Sequence, residues 1–307
     1  MLDLRVTLFG KFNIRWGDQQ LVGMEALKVQ ELFSYMLLFR NHPQPRESLC
    51  ELLWAKEPPA KSKKHLRQTL WRLRKALEER GDRFEPELLT ESEWIQINPS
   101  FDIWTDAAEF EQTFKLVNGK RVRKLTPDDF KLLQHGIDLY KGDLLEGWYH
   151  DWCLIERERF RIMHLLTLDK LVQYCELRQD YETGLIYALE ILRHDRAYER
   201  AHRHLMRLHY LAGNRTQALQ QYERCAAALR NELDVEPSIQ TKRLYDQIRS
   251  DNIQHPAPAI EEVSDAPAKG MAGMLERLMH LAEEIDQIQS EVRTEIRRLE
   301  STLSAQH

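Results

Sequence analysis

From Thr105 to about Arg249 apolar residues recur at helical spacing through one helix after another, and within that stretch the chain repeats itself. Leu171, Asp180, Gly184 and Leu185 return as Leu205, Asn214, Ala218 and Leu219, all at one constant spacing. That spacing is the period, ~34 residues, of two antiparallel helices with a small residue where they cross. Asn118-Gly119, Gly142-Asp143, Gln179-Asp180 and Gly213-Asn214 punctuate the run as turns. Much of the chain is thereby committed to stacked helical hairpins of the tetratricopeptide (TPR) type.

The residues before this run follow another rule. Leu4, Val6 and Leu8 alternate with polar neighbours, as do Phe12, Ile14 and Trp16, and Gly17-Asp18 marks a turn, so the first twenty-two residues read as short strands. From Glu25 the period changes: Val29, Leu32, Phe33, Met36 and Leu37 lie on one face of a helix that stops before Asn41-His42-Pro43. A second helix carries Leu49, Leu52 and Leu53 and ends before Pro58-Pro59. A third begins near Ala60, with the stripe Leu66, Leu70, Leu73 and Leu77, and Gly81 lies just past its end. Leu88-Leu89-Thr90 and Trp94-Ile95-Gln96-Ile97 then flank Glu91-Ser92-Glu93 as a hairpin, and no strand is expected after Pro99. The fold class is mainly α. Residues 1–98 form an N-terminal domain with small sheets, 99–250 a TPR-like repeat domain, 251–270 a Pro/Ala-rich linker, and 271–304 a C-terminal coiled-coil helix.

The tail earns that reading by its spacing. Leu275, Leu278, Ala282, Ile285, Gln289, Val292, Ile296, Leu299 and Leu303 alternate three and four apart, which is a heptad seam. Leu275, Leu278, Ile285, Val292, Ile296 and Leu299 are the expected oligomerisation contacts, and Gln289 at a seam position would fix register. A lone amphipathic helix docked on its own chain is the alternative.

No uninterrupted apolar run approaches the ~20 residues that span a bilayer, and the N-terminus has no apolar block of a signal peptide. Cys50, Cys153, Cys175 and Cys225 are widely spaced and read as core residues of a protein in a reducing cytoplasm. Phosphate-loop, dinucleotide, His-Glu-x-x-His and Gly-x-Ser-x-Gly patterns are absent from the sequence. The expectation is a cytoplasmic protein that is not an enzyme, with no cofactor and no membrane partner. His202, His204 and His209 stand beside Arg200, Arg203 and Arg207, which repel a cation, so no metal is expected. Glu156 and Glu158 alternate with Arg157 and Arg159 and read as a solvated face.

The net charge of −5 argues against nucleic acid until it is divided. Residues 1–98 hold 16 basic and 14 acidic side chains, a net of +2, and the remainder carries −7. Between Lys61 and Lys75 there are seven basic residues and no acidic one: Lys61, Lys63, Lys64, Arg67, Arg72, Arg74 and Lys75. A solvated helix face ordinarily mixes signs. One apolar face and one wholly cationic face suit a helix that lies in the major groove of duplex DNA.

Strands, three helices and a hairpin, with the third helix reading Leu66-Arg67-Gln68-Thr69-Leu70-Trp71-Arg72-Leu73-Arg74-Lys75-Ala76-Leu77, resemble the winged helix of OmpR/PhoB-type regulators. The Lys28 to Trp54 block, Arg72 to Leu77, and Phe101-Asp102-Ile103 leading to Phe110 extend the likeness to the antibiotic regulatory protein (SARP) family. Leu139 to Leu145, Trp152, Glu156-Arg157, Glu199 to His202, Gly213-Asn214-Arg215 and Glu232 to Ser238 resemble its bacterial transcriptional activator domain. The likeness covers about residues 2 to 250 and rests on the order and spacing of these pieces.

The resemblance implies a transcription activator that binds direct repeats in double-stranded promoter DNA and contacts RNA polymerase subunits. Carried onto this chain, it places Lys64, Gln68, Thr69, Trp71 and Arg72 toward the groove, with Arg74 and Lys75 near phosphates and Lys61 and Lys63 completing the DNA-binding set. Gln68 and Arg72 are the base readers their chemistry favours, because an amide and a guanidinium can each bond bidentately to a base edge. Trp71 has two readings, contact with a thymine methyl or sugar and cover for the domain's own surface. The hairpin departs from the family, which places basic or small residues there; phosphates repel Glu91-Ser92-Glu93, so affinity is expected to draw on dimer avidity. The competing reading is a TPR-type interaction adaptor with a degenerate winged helix.

Overall fold

The computed structural model describes residues 4–78 and 87–252 of the chain. Gly81, the linker beyond residue 252 and the whole heptad seam lie outside the described residues. Among those described, contacts gather into two units, one holding residues up to Glu109 together with Lys141–Leu154, the other Phe110–Tyr140 and the residues from Ile155 onward. The boundary expected between residues 98 and 99 is not where these contacts divide the chain.

In the first unit, β1 (Leu4–Thr7), β2 (Asn13–Trp16) and β3 (Gln19–Gln20) join β7 (Ile103–Thr105) in a sheet of order β3-β2-β1-β7. The alternation read from the sequence decides the register: Leu4, Val6, Ile14 and Trp16 are all buried, with Leu4 opposite Trp16 and Val6 opposite Ile14. β7 corrects the expectation that strands end at Pro99. Ile103-Trp104-Thr105 is three residues of strand-favouring type, too short to show a period, and it becomes a strand by pairing in parallel with β1 across the whole unit. Asp106 fastens this junction. Its carboxylate accepts hydrogen bonds from the amides of Leu8 (2.8 Å), Phe9 (3.0 Å) and Ala107 (2.8 Å). Burial pushes that carboxyl up to about 6 against the pull of the three amides, so at neutral pH it is ionised.

Three helices follow and pack on one another: α1 (Leu27–Leu38), α2 (Arg46–Trp54) and α3 (Pro59–Glu78). A second sheet, β4 (Gln44–Pro45), β6 (Trp94–Ile97) and β5 (Leu88–Thr90), has the order β4-β6-β5. This is a winged helix. Residues 141–154 complete the unit. The amide of Gly10 donates to Asp143 (2.8 Å), Leu145 to Leu8 (2.8 Å) and Glu146 to Gly10 (2.8 Å), while Trp152 meets Tyr35 edge-on at 5.3 Å.

The second unit is helical. It takes up α4 (Asp106–Asn118) from Phe110, α5 (Pro127–Leu139), α6 (Asp151–Arg178) from Ile155, α7 (Tyr181–His194), α8 (Glu199–Leu211), α9 (Arg215–Leu233) and α10 (Ile239–Arg249). The repeat read from the sequence has a backbone counterpart. The Asp180 amide donates to Cys175 at 2.9 Å and the Asn214 amide to His209 at 2.8 Å, while Gln179 (φ 61°) and Gly213 (φ 80°) make the same left-handed turn. Leu171 and Leu205 are both fully buried, as is Ala218. A Cβ on Gly184 would stand 3.2 Å from Cys175 Cβ and from both Leu208 methyls, which is the reason a small residue recurs at the helix crossing.

Two polar clusters lie inside this unit. Arg159 bridges Glu156 (2.7 Å) and Glu111 (2.8 Å) with all three largely buried, which corrects the reading of Glu156 and Arg159 as a solvated face; Arg159 is desolvated with its two acids, whereas Arg161 and Glu158 pair nearer the surface. Asp169 receives Arg200 (2.8 Å) and His204 (3.0 Å), and Glu176 receives Arg207 (2.7 Å). Burial works against the Asp169 carboxylate, but His204 and Arg200 outweigh it and hold its pKa below the ordinary value. Burial likewise opposes the His204 imidazolium, yet its bonds to Asp169 and Glu176 raise its pKa. Of the histidines considered for metal, His204 is thus held by acids and His202 by the Arg196 carbonyl (2.9 Å) and Gln221 (2.7 Å). No group of three ligating side chains among the described residues is placed to hold a metal. All four cysteines are buried and unpaired with one another. No described helix is long and apolar enough to cross a membrane.

Candidate nucleic-acid interface

The third helix forms for local reasons. Pro59 stands at its start, where a missing amide costs nothing, and the amides of Lys61 and Ser62 close the first turn on the Pro58 carbonyl at 2.9 and 3.0 Å. Good helix formers fill most of the rest. Ser62, Leu66, Thr69, Leu70, Leu73, Ala76 and Leu77 are buried. Gly23, at φ 93°, brings the loop before α1 close enough that its added Cβ would lie 3.1 Å from Ala76 Cβ. The core therefore fixes the rotation of the helix about its axis, and the opposite face follows from the ~100° step between residues.

That opposite face presents Lys61, Lys64, Gln68, Trp71, Arg72 and Lys75, all exposed. Their angular positions span about 100°, and from first to last they run about 21 Å along the axis. Lys64, Gln68 and Arg72 have no side-chain partner among the described residues. Lys75 Nζ stands 5.5 Å from the Trp71 ring centroid. Arg67 is exposed on the flank of this stripe.

The remaining candidates sit elsewhere. Thr69 is 7% exposed and lies on the core side, which corrects its placement toward the groove; at helical spacing it belongs with Leu66, Leu73 and Ala76. Arg74 is only half exposed and donates to Thr90 Oγ1 of β5, so it braces the hairpin instead of standing free for a phosphate. Lys63 is exposed but bonds Glu47 at 2.9 Å, and this bond with the Glu47 charge raises its pKa. Lys61 approaches Glu57 at 3.7 Å.

At the hairpin tip Glu91, Ser92 and Glu93 are exposed. The Arg46 side chain donates to the Glu91 carbonyl (3.1 Å), and the Arg46 amide to the Glu93 carbonyl (2.9 Å). The acidic tip is thus tied to the start of α2, and β5 to α3 through Arg74. Sequence reasoning misses Arg46 and Glu47 as site residues because they lie outside the cationic run; their adjacency to Pro45, at the start of a helix, is the one local signal that marks them.

Residues 105–249 match the family described as the bacterial transcriptional activator domain. No curated protein matches the chain. Among solved structures, Mycobacterium tuberculosis EmbR in complex with a low affinity phosphopeptide is similar with a TM-score of 0.70 at 15% identity, over 91% of this chain and 71% of that one. The fold expected from the sequence, mainly helical with small N-terminal sheets and a helical repeat domain, agrees with this likeness. Residues 105–249 are thus similar to the bacterial transcriptional activator domain, and the chain as a whole, winged helix included, shares the fold of that solved structure.

Proposed function

We propose that this chain is a SARP-type transcription activator that binds promoter duplex through the outer stripe of α3 and contacts RNA polymerase through its helical repeats. The observation that carries the reading is the makeup of that stripe. On a helix seated by its leucines in a winged helix, every outward position from Lys61 to Lys75 is a cation, an amide or an indole. Lys64 and Lys75 supply phosphate contacts, whose energy comes from counterion release. Gln68 and Arg72, one turn apart and without side-chain partners among the described residues, read base edges, Gln68 suiting adenine and Arg72 suiting guanine. The acidic tip stays clear of phosphate, so the affinity lost there is recovered by pairing two chains through Leu275, Leu278, Ile285, Val292, Ile296 and Leu299.

The test is a salt series of full-length protein on promoter fragments and random duplex. Preference for particular fragments, with affinity falling steeply as salt rises, supports the reading. Equal or negligible binding to all duplexes refutes it and leaves the adaptor reading. The observations that favour the adaptor are Glu91 and Glu93 at the tip and the neutralisation of Lys61 and Lys63 by Glu57 and Glu47.

A further inference from the structure

Trp71 is 61% exposed and forms one edge of the α3 stripe, about 60° around the helix from Gln68 and about 100° from Arg72. An indole covering its own domain would be buried on the leucine core, as Leu70 and Leu73 nearby are, whereas most of Trp71 stays open to solvent. Its neighbours one turn away are Arg67, Gln68, Arg74 and Lys75, all polar, and Arg72 follows it directly. None of the other exposed large apolar side chains among the described residues lies on α3, so there is no apolar patch here of the sort that a folded protein partner covers. The charges within one turn of the ring, on Arg67, Arg72, Arg74 and Lys75, are all positive, which suits a polyanion. Lys75 Nζ over its ring at 5.5 Å holds the indole against the helix by a cation–π contact and reduces the freedom lost when it docks.

Trp71 stands one turn from Gln68 and about 60° around the helix from it, so its long side chain can reach the base edges beside those that Gln68 meets. The edges of base pairs in the major groove are polar with one exception, the C5-methyl group of thymine. We infer that Trp71 is a specificity-determining residue that packs its indole on a thymine methyl, next to the bases read by Gln68 and Arg72. This rests on the reading of α3 as the DNA-binding element. It makes the preferred site thymine-dependent at one defined position per bound chain.

The experiment uses full-length protein and duplexes selected by it from a random library. In the tightest duplex each thymine is replaced singly by deoxyuridine, which removes the methyl and leaves every hydrogen-bonding group in place. At one position the replacement is expected to weaken wild-type binding about three- to fivefold, the worth of one methyl group withdrawn from water. Trp71→Ala should bind the thymine and deoxyuridine duplexes equally, and Trp71→Phe should restore part of the discrimination. Because the side chain is exposed, both variants should melt with the wild type. If sequences are selected but no deoxyuridine position distinguishes wild type from Trp71→Ala, the role of Trp71 is overturned while DNA binding by α3 stands. If no sequence is enriched at all, both fall.

Discussion

Replacing Asp106 with alanine tests whether the fold of the first unit is closed by the junction of β1, β7 and α4. The Asp106 carboxylate is the acceptor for the amides of Leu8 and Phe9, residues that are 0% and 4% exposed. Neither amide can turn to water when the side chain is cut back. A buried donor left without an acceptor costs about 1–3 kcal/mol, so the two together set an expected loss of about 2–6 kcal/mol. That is a large part of the ~5–15 kcal/mol typical of a folded domain. The pH matters. With the folded carboxyl pushed from 3.8 up to about 6, the folded chain holds a proton that the unfolded chain has lost across that window. The contribution of Asp106 is therefore greatest below about pH 4, declines as pH rises to about 6 and is level above. Measurement at about pH 8 reads the level region. The seven tryptophans, Trp16, Trp54, Trp71, Trp94, Trp104, Trp148 and Trp152, all fall in the first unit. Urea unfolding followed by tryptophan fluorescence thus reports on that unit, with far-ultraviolet circular dichroism following the helices alongside. A fluorescence transition for Asp106→Ala no further from wild type than the ~0.5 kcal/mol typical of a surface substitution would refute the argument. Asp106→Asn, which keeps one acceptor oxygen, should fall between the two.

Other outcomes follow from the same contacts. Arg72→Ala should cost about 1–3 kcal/mol at the preferred site and relax sequence preference, whereas Lys64→Ala should weaken all duplexes alike and lower the salt slope by about one; equal effects of the two in a binding titration would contradict the assigned roles. Glu47→Gln should free Lys63 and tighten DNA binding with a steeper salt dependence, and weaker binding in the same titration would show that Glu47 is needed to place α2. Asp169→Asn leaves Arg200 and His204 without their buried acid and should destabilise the second unit by about 3–5 kcal/mol, seen as an earlier loss of helical circular dichroism on heating. Because the His204 pKa is raised in the fold, its contribution is complete below about pH 6.5 and is lost as pH rises through the folded value. The lowered Asp169 pKa makes its own contribution present above about pH 4 and lost on acidification. His204→Gln should remove the alkaline decline, and a wild-type melt that is flat from about pH 6 to about pH 9 would count against this sign.

The helices, their repeat and the cationic stripe are legible in the sequence because each is a local periodicity. Leucine spacing sets which side of α3 is buried, and the residues left over define the outer face with no knowledge of its neighbours. The equivalence of Leu171 with Leu205 and of Gly184 with Ala218 depends in the same way on short-range geometry, repeated in the next helical hairpin. Thr69 escapes such a reading when its polarity is weighed above its angle; its position three after Leu66 and four before Leu73 says more.

What the sequence by itself determined, then, is the class of fold, the repeat and the helix that faces outward. Only the tertiary structure decided which charges are free. Lys63 is paired with Glu47, Arg74 with Thr90, and Arg159 with Glu111 and Glu156. Most of these pairs join side chains from different elements, whose meeting no local pattern encodes. It also decided that Ile103–Thr105 is a strand, and that Lys141–Leu154 packs with the first unit although Phe110–Tyr140, which precedes it in the chain, belongs to the second. Periodicity is a property of neighbouring residues, whereas strand pairing and desolvated ion pairs depend on what the folded chain brings alongside.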